Sequence, residues 1–228
     1  MEMGEASEVV IPLFGVLDVT GEVILMWVIA LLLVLTSIFV TRHLKERPGR
    51  FQNMVETAVE SLDRFFTGIV GKKKARKYFC FLGSLFIFII VANYSGLIPG
   101  VGMTKYFKAP TASLSVTLGL GVVTFAFLQI ASIRAGGCKH YFKRFVTPIA
   151  VMLPLLVLDE FIKPASLALR LFGNVFGEET VTEELYGLLP IGAPVIMMAL
   201  SLLFCAIQAV VFTMLVSIYL EEAIEVEE

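Results

Sequence analysis

The chain has 228 residues, 57% of them hydrophobic and 19 of them phenylalanine, with a formal net charge of −2 and a mean hydropathy of +0.87. Soluble domains are only about half apolar, so this composition excludes an ordinary soluble protein and marks an integral membrane protein. There is room for about five or six spans and their loops but hardly for a separate soluble domain, and nothing in the charge points to nucleic acid.

The first residues, MEMGEASEVV, are acidic where a signal peptide would be basic, and no small-residue cleavage site follows the first apolar run. That run, Val23 to Val40, is therefore expected to be a retained span (23–41) behind an N-terminal segment of residues 1–22. Of the 18 Lys and Arg, ten lie between Arg42 and Lys77 and four between Arg134 and Arg144, while the first 22 residues have none. By the positive-inside rule the two rich loops face the cytoplasm, which puts the N-terminus outside and the C-terminus inside.

Residues 51–70 place Phe51, Met54, Val55, Leu62, Phe65, Phe66 and Ile69 at helical spacing, with Glu56, Glu60 and Asp63 elsewhere on the wheel. This predicts an amphipathic helix on the cytoplasmic membrane surface, followed by the basic anchor KKKARK. Residues 78–99 and 111–133 are each close to the roughly 20 residues that cross hydrocarbon. Cys80, Cys138 and Cys205 stand apart in or beside apolar runs, and His43 and His140 sit singly among cations. Small packing residues and solvated loop residues are the readings they support, not a disulfide or a metal site.

The C-terminal half differs. Leu185 to Leu220 is free of charge for 36 positions, which as one helix reaches about 54 Å against a hydrocarbon core of about 30 Å. With residues 145–184 similarly long, the pattern predicts a hairpin of two long, strongly tilted helices, 145–184 and 190–221, with Pro190 and Pro194 marking the start of the second. The fold class is thus all-α and integral to the membrane, with about five membrane helices and one surface helix.

The stretch SLALRLFGNVFGEE, Ser166 to Glu179, puts a guanidinium inside an apolar helix. At 100° per residue, Asp159, Lys163, Ser166, Arg170, Asn174 and Gly177 fall within about 40° of one direction, with Glu160 and Glu178 near the edge and Glu179 opposite. An arginine at mid-membrane costs about 2.5–3.5 kcal/mol on insertion scales, so such a residue usually has a function. The competing structural reading has Arg170 snorkelling to a headgroup or pairing with Asp159 or Glu160. Apolar neighbours on both sides make snorkelling difficult, and an internal pair leaves the other carboxylates unexplained. Gly173 and Gly177 form a small-xxx-small pair that admits a close helix neighbour.

RLFGN with a Glu nine positions after the Arg, LFIFIIVANYSGLIPG, PTASLSVTL and QAVVFTMLVSIYL together resemble subunit a of the F-type ATP synthases, over most of the chain from about Phe51 onward. The resemblance implies a non-catalytic stator in the inner (plasma) membrane. It would stand beside a c-ring, with peripheral-stalk b subunits and, indirectly, a soluble ATPase head as partners. It needs no cofactor, and it passes protons or sodium through two half-channels. Arg170 matches the family's essential arginine, Glu179 its half-channel acid, Gln208 the polar residue of the last helix and Asn174 the residue one turn on. Asp159 and Glu160 lie where some members place a cytoplasmic half-channel acid, although a structural pair of Asp159 with Lys163 at helical spacing is an equal alternative. Ser201 stands where some relatives carry a histidine, so the outer route would be lined differently; Glu178 and Ser201 are carried as further candidates for it. Asn93 reads either as a helix cap or as a site residue. Glu183 and Glu184 read as an outer mouth or as a solvated turn, and Ser113 replaces an expected Asp or Asn. No GxxxxGK[ST] loop is present, so nucleotide chemistry belongs to partners. The rival reading is a secondary ion-coupled transporter, which would commonly show related halves; the sequence has no internal repeat.

Overall fold

A backbone in hydrocarbon has to satisfy its own N–H and C=O groups, which leaves the helix as the economical form for each long apolar run. The structure, a computed structural model, describes residues 9–13, 17–42, 49–97, 109–146, 153–188 and 193–224. Among them are six α-helices: α1 Gly21–Arg42, α2 Arg50–Val70, α3 Lys72–Ser95, α4 Leu114–Val146, α5 Leu153–Leu188 and α6 Ala193–Ile224. A one-turn 3-10 helix, Pro110–Ala112, leads into α4. Four helical stretches, Gly21–Arg42, Lys72–Ser95, Leu114–Gly137 and Ile196–Ile224, are long and apolar enough to cross a membrane. The protein is an all-α, multi-pass membrane protein. His43, Lys105, Lys108 and Pro190 lie outside the described residues, and so do residues 1–8 of the N-terminal segment.

One element has no counterpart in the sequence reading. Strands β1 Val9–Leu13 and β2 Leu17–Thr20 pair antiparallel ahead of α1, with a register irregularity between Val9 and Ile11. The segment is too short to show a period, yet its β-branched residues favour extended backbone. Pro12 is tolerable because a two-stranded ribbon has only edges.

Helix α2 meets α3 across the single residue Gly71, whose φ of 81° suits glycine. The KKKARK run is thus the first turns of α3 itself. Only the second half of the α2 apolar stripe is covered by protein: Phe66 and Val70 are buried, and Phe66 meets Phe79 of α3 edge to face at 6.2 Å. Phe51 and Met54 stay open. Helix α4 runs past Ile133 to Val146, broken at Gly137 (φ 77°), so Phe145 and Val146 belong to it and α5 starts at Leu153.

The core is the seam where α4 and α6 cover one face of α5 and α3 packs on the far side of α6. Leu167, Leu171 and Val175 of α5 pack in one cluster with Ala209, Phe212, Val216 and Leu220 of α6 and Leu82, Leu85 and Ile89 of α3. Phe81 of α3 stacks on Phe127 of α4, and Phe125 of α4 stacks on Phe161 of α5 at 5.3 Å. Hydroxyls inside this core bond back to their own helices, as Thr124 does to Leu120, Thr213 to Ala209 and Ser217 to Thr213. Helix α4 approaches α5 most closely at Gly121, where a Cβ would lie 3.1 Å from the Pro164 carbonyl oxygen and 3.2 Å from Ala168 Cβ. Pro164 cannot donate a backbone bond, and its own turn of α5 is the one pressed against Gly121. Gly121→Val should therefore force the helices apart and destabilise the protein by about 1–3 kcal/mol, whereas Gly119→Ala meets nothing within 4 Å and should be neutral. Thermal unfolding of the two variants in detergent checks this; an unshifted Gly121→Val midpoint would contradict the close approach.

Candidate functional site: a polar seam and an open arginine on α5

Helices α5 and α6 are tied by side chains at three levels, and the α6 partner number rises as the α5 number falls, the signature of an antiparallel hairpin. Near one end, the Glu178 carboxylate accepts a hydrogen bond from the Ser201 hydroxyl, and the Cys205 thiol lies 4.0 Å from it. Next, the Asn174 amide donates to the Gln208 side-chain oxygen in a short bond. Gln208 is only 3% exposed and its Nε2 has no partner among the described residues. Toward the other end, the Lys163 ammonium donates to both oxygens of Glu222, at 2.7 and 2.9 Å.

Arg170 stands between the second and third levels. It lies at the midpoint of α5, about 26 Å along the axis from either end, since the helix runs from Leu153 to Leu188. Leu167, Ala168 and Leu171 around it are buried in the core. The arginine itself is on the opposite, open side, next to Leu169, which is 55% exposed. No ion pair or hydrogen bond of its guanidinium occurs among the described residues. Neither internal partner suggested by the sequence is used. Asp159 pairs with Lys163 at 3.3 Å, and Glu160 accepts a bond from the Gln129 amide of α4 at 3.2 Å.

Glu179 turns away from the arginine face. Its Oε1 accepts the backbone N–H of Ala109 at 3.1 Å, at the entrance to the Pro110–Ala112 turn. This turn is packed against the end of α3 so tightly that a Cβ at Gly96 would come within 2.7 Å of Ala109 Cβ. Asn93 on α3 and Thr111 in the turn are polar side chains only 1% exposed. The side-chain polar atoms of both have no protein partner among the described residues. Asn93 is not a side-chain cap, because α3 is closed by backbone bonds, from the Gly96 N–H to the Asn93 carbonyl and from the Leu97 N–H to the Tyr94 carbonyl. Tyr94 instead bridges to α6, its hydroxyl donating to the Leu202 carbonyl at 3.3 Å.

Adjacent carboxylates on α5 therefore serve different clefts, Glu178 the α5–α6 cleft and Glu179 the cleft toward the α3 end and the α4 entrance. Glu183 and Glu184 are exposed and helical, not part of a turn. Ser113 closes the 3-10 turn, its carbonyl accepting the Thr117 N–H and hydroxyl. Gln129, Tyr219 and Glu222 were not singled out from sequence. Glu222 has one legible signal: Ser201, Gln208 and Glu222 share a seven-residue spacing on α6, which returns them to nearly the same face.

Comparison with known proteins identifies the family. A family model described as ATP synthase A chain matches residues 23–221. The ATP synthase subunit a 1 of Syntrophotalea carbinolica is 37% identical over 203 residues, covering 87% of this chain and 83% of the relative. The ATP synthase subunit a of Moorella thermoacetica is 37% identical over 206 residues, covering 90% and 91%. With the match covering residues 23–221 and the relatives covered over more than four fifths of their length, the chain belongs to the ATP synthase A chain family.

Proposed function

We propose that this chain is the ion-conducting stator subunit of an F-type ATP synthase, standing beside a ring of c subunits and offering the ring two offset half-channels. The observation that carries the reading is Arg170, a permanent cation at the midpoint of α5, open on one side and unmatched by any carboxylate among the described residues. Such a charge is costly in hydrocarbon unless an anion meets it, and the ring carboxylate is that anion. A guanidinium favours the ionised partner yet cannot relay a proton itself, so Arg170 discharges the ring site and blocks a direct leak.

On this reading the basic loops lie in the cytoplasm and the N-terminus outside the cell membrane. Glu179, Glu178, Asn93 and Thr111 then line the outer half-channel, with Ser201 contributing a hydroxyl to Glu178. Asp159 and Glu160 serve the cytoplasmic one. The Asn174–Gln208 bond closes the seam next to Arg170. Unmet hydrogen-bonding capacity at Asn93, Thr111 and Gln208 suits water-lined paths. The subunit does no nucleotide chemistry; the ATPase head does, joined to it through the b subunits. Each ion contributes about 2.3 kcal/mol per 100 mV, so several pass for each ATP.

ATP-driven ion uptake by inverted membrane vesicles checks these roles. Arg170→Lys should abolish coupled uptake even though charge is nominally retained, because an ammonium can lose its proton when buried; retained uptake would contradict the role. Glu179→Gln should lower uptake about tenfold or more, and an unchanged rate would remove Glu179 from the path. The same assay with and without sodium, across pH, identifies the ion: sodium-independent uptake means protons, and sodium-dependent uptake means sodium.

A further inference from the structure

The Lys163 ammonium is gripped from several sides. Glu222 of α6 accepts at 2.7 and 2.9 Å, Asp159 of α5 lies at 3.3 Å, and the Tyr219 ring of α6 has its centroid 5.5 Å away. The lysine side chain is 14% exposed and that of Glu222 48%, so the pair sits at a rim, shielded on the lysine side and open on the glutamate side. Asp159 is on the same helix as Lys163 and ties α5 only to itself. The Glu222 contact is the ionic link between α5 and α6 among the described residues.

Its placement is specific. Arg170 is seven residues, about 10 Å, beyond Lys163 on α5 and four residues, about 6 Å, before Asn174. The Lys163–Glu222 and Asn174–Gln208 contacts therefore bracket the arginine, one on each side. Between them the hairpin is held only by apolar packing of Leu167 and Leu171 against Phe212 and Val216. Apolar contact is non-directional, and in a membrane it lacks the hydrophobic drive that would resist sliding. A slip of one turn is about 5.4 Å, and it would break the ion pair while leaving apolar surface against apolar surface.

We infer that the Lys163–Glu222 pair is a positioning tie that fixes the register of α5 on α6, and through it the height of Arg170 against the passing ring. This rests on the stator reading above. Lys163 is then neither an ion carrier nor a channel wall; its charge acts across the hairpin through Glu222, while Asp159 holds it on its own helix.

The test uses the intact complex in inverted vesicles. Lys163→Gln and Glu222→Gln should each assemble to normal levels, keep the ATPase activity of the head, and lower ATP-driven ion uptake about three- to tenfold, because a displacement near 1 Å is costly to a positioned group. Exchange of the charges, Lys163→Glu with Glu222→Lys, should restore most of the uptake, which a general packing defect would not do. Normal uptake in both single variants would overturn the tie. So would an exchanged pair no better than the singles at normal assembly, and so would failure of all three to assemble, since the pair would then serve folding. Arg170→Ala run beside them separates the two readings: if it keeps coupled uptake, the stator reading fails whatever the pair does.

Discussion

A guanidinium held open at the middle of an apolar helix is the constraint from which the rest of this structure follows. It cannot be neutralised by losing a proton, and leaving it in lipid costs several kcal/mol. Among the described residues, the polar groups of the hairpin are engaged elsewhere and none cancels it. Asp159 is engaged by Lys163, Glu160 by Gln129, and Glu178 by Ser201, while Glu179 faces Ala109. Each carboxylate within three turns of Arg170 has another partner. Among the described residues the cation is left open.

The neighbouring helices make that possible by covering only the opposite face of α5, the stripe of Pro164, Leu167, Ala168, Leu171 and Val175. Small residues let them come close, Gly121 against the Pro164 turn and Gly96 against Ala109. Threonines and serines in the core return their hydrogen bonds to their own backbone, so few polar groups are stranded. The exceptions, Asn93, Thr111 and Gln208, lie on the elements that carry Glu179 and Asn174 partners, where polar side chains have a use. Unmet polarity among the described residues is thus concentrated near the Glu179 contact and the Asn174–Gln208 bond.

Much of this was legible in the sequence, and the limits have physical reasons. Spans announce themselves because hydrocarbon demands about 20 apolar residues, and the arginine stood out because charge is rare among Leu and Phe. The facing of each side chain was another matter. Helix α6 is apolar all round, so no periodicity distinguishes its core stripe of Cys205, Ala209, Phe212, Val216 and Leu220 from its open side. Glu222 read as one more acid in a C-terminal run, and only the antiparallel register reveals that it meets Lys163, 59 positions away. Gln129 was hidden in the same way inside an ordinary span. The hairpin β1–β2 escaped because paired strands of five and four residues carry too few positions to display alternation. The α2 stripe was correct in period, and the structure adds that its second half packs on α3.

The account turns on what faces the open side of Arg170. Disulfide cross-linking in the assembled complex addresses it most directly, with Leu169→Cys, whose position beside the arginine is open, set against a cysteine introduced next to the carboxylate of the c subunit. A cross-linked product between the two subunits is the predicted result. A Leu169→Cys thiol that never joins the ring, yet is labelled freely by a lipid-phase reagent, would mean that the arginine faces lipid and that the stator reading is wrong.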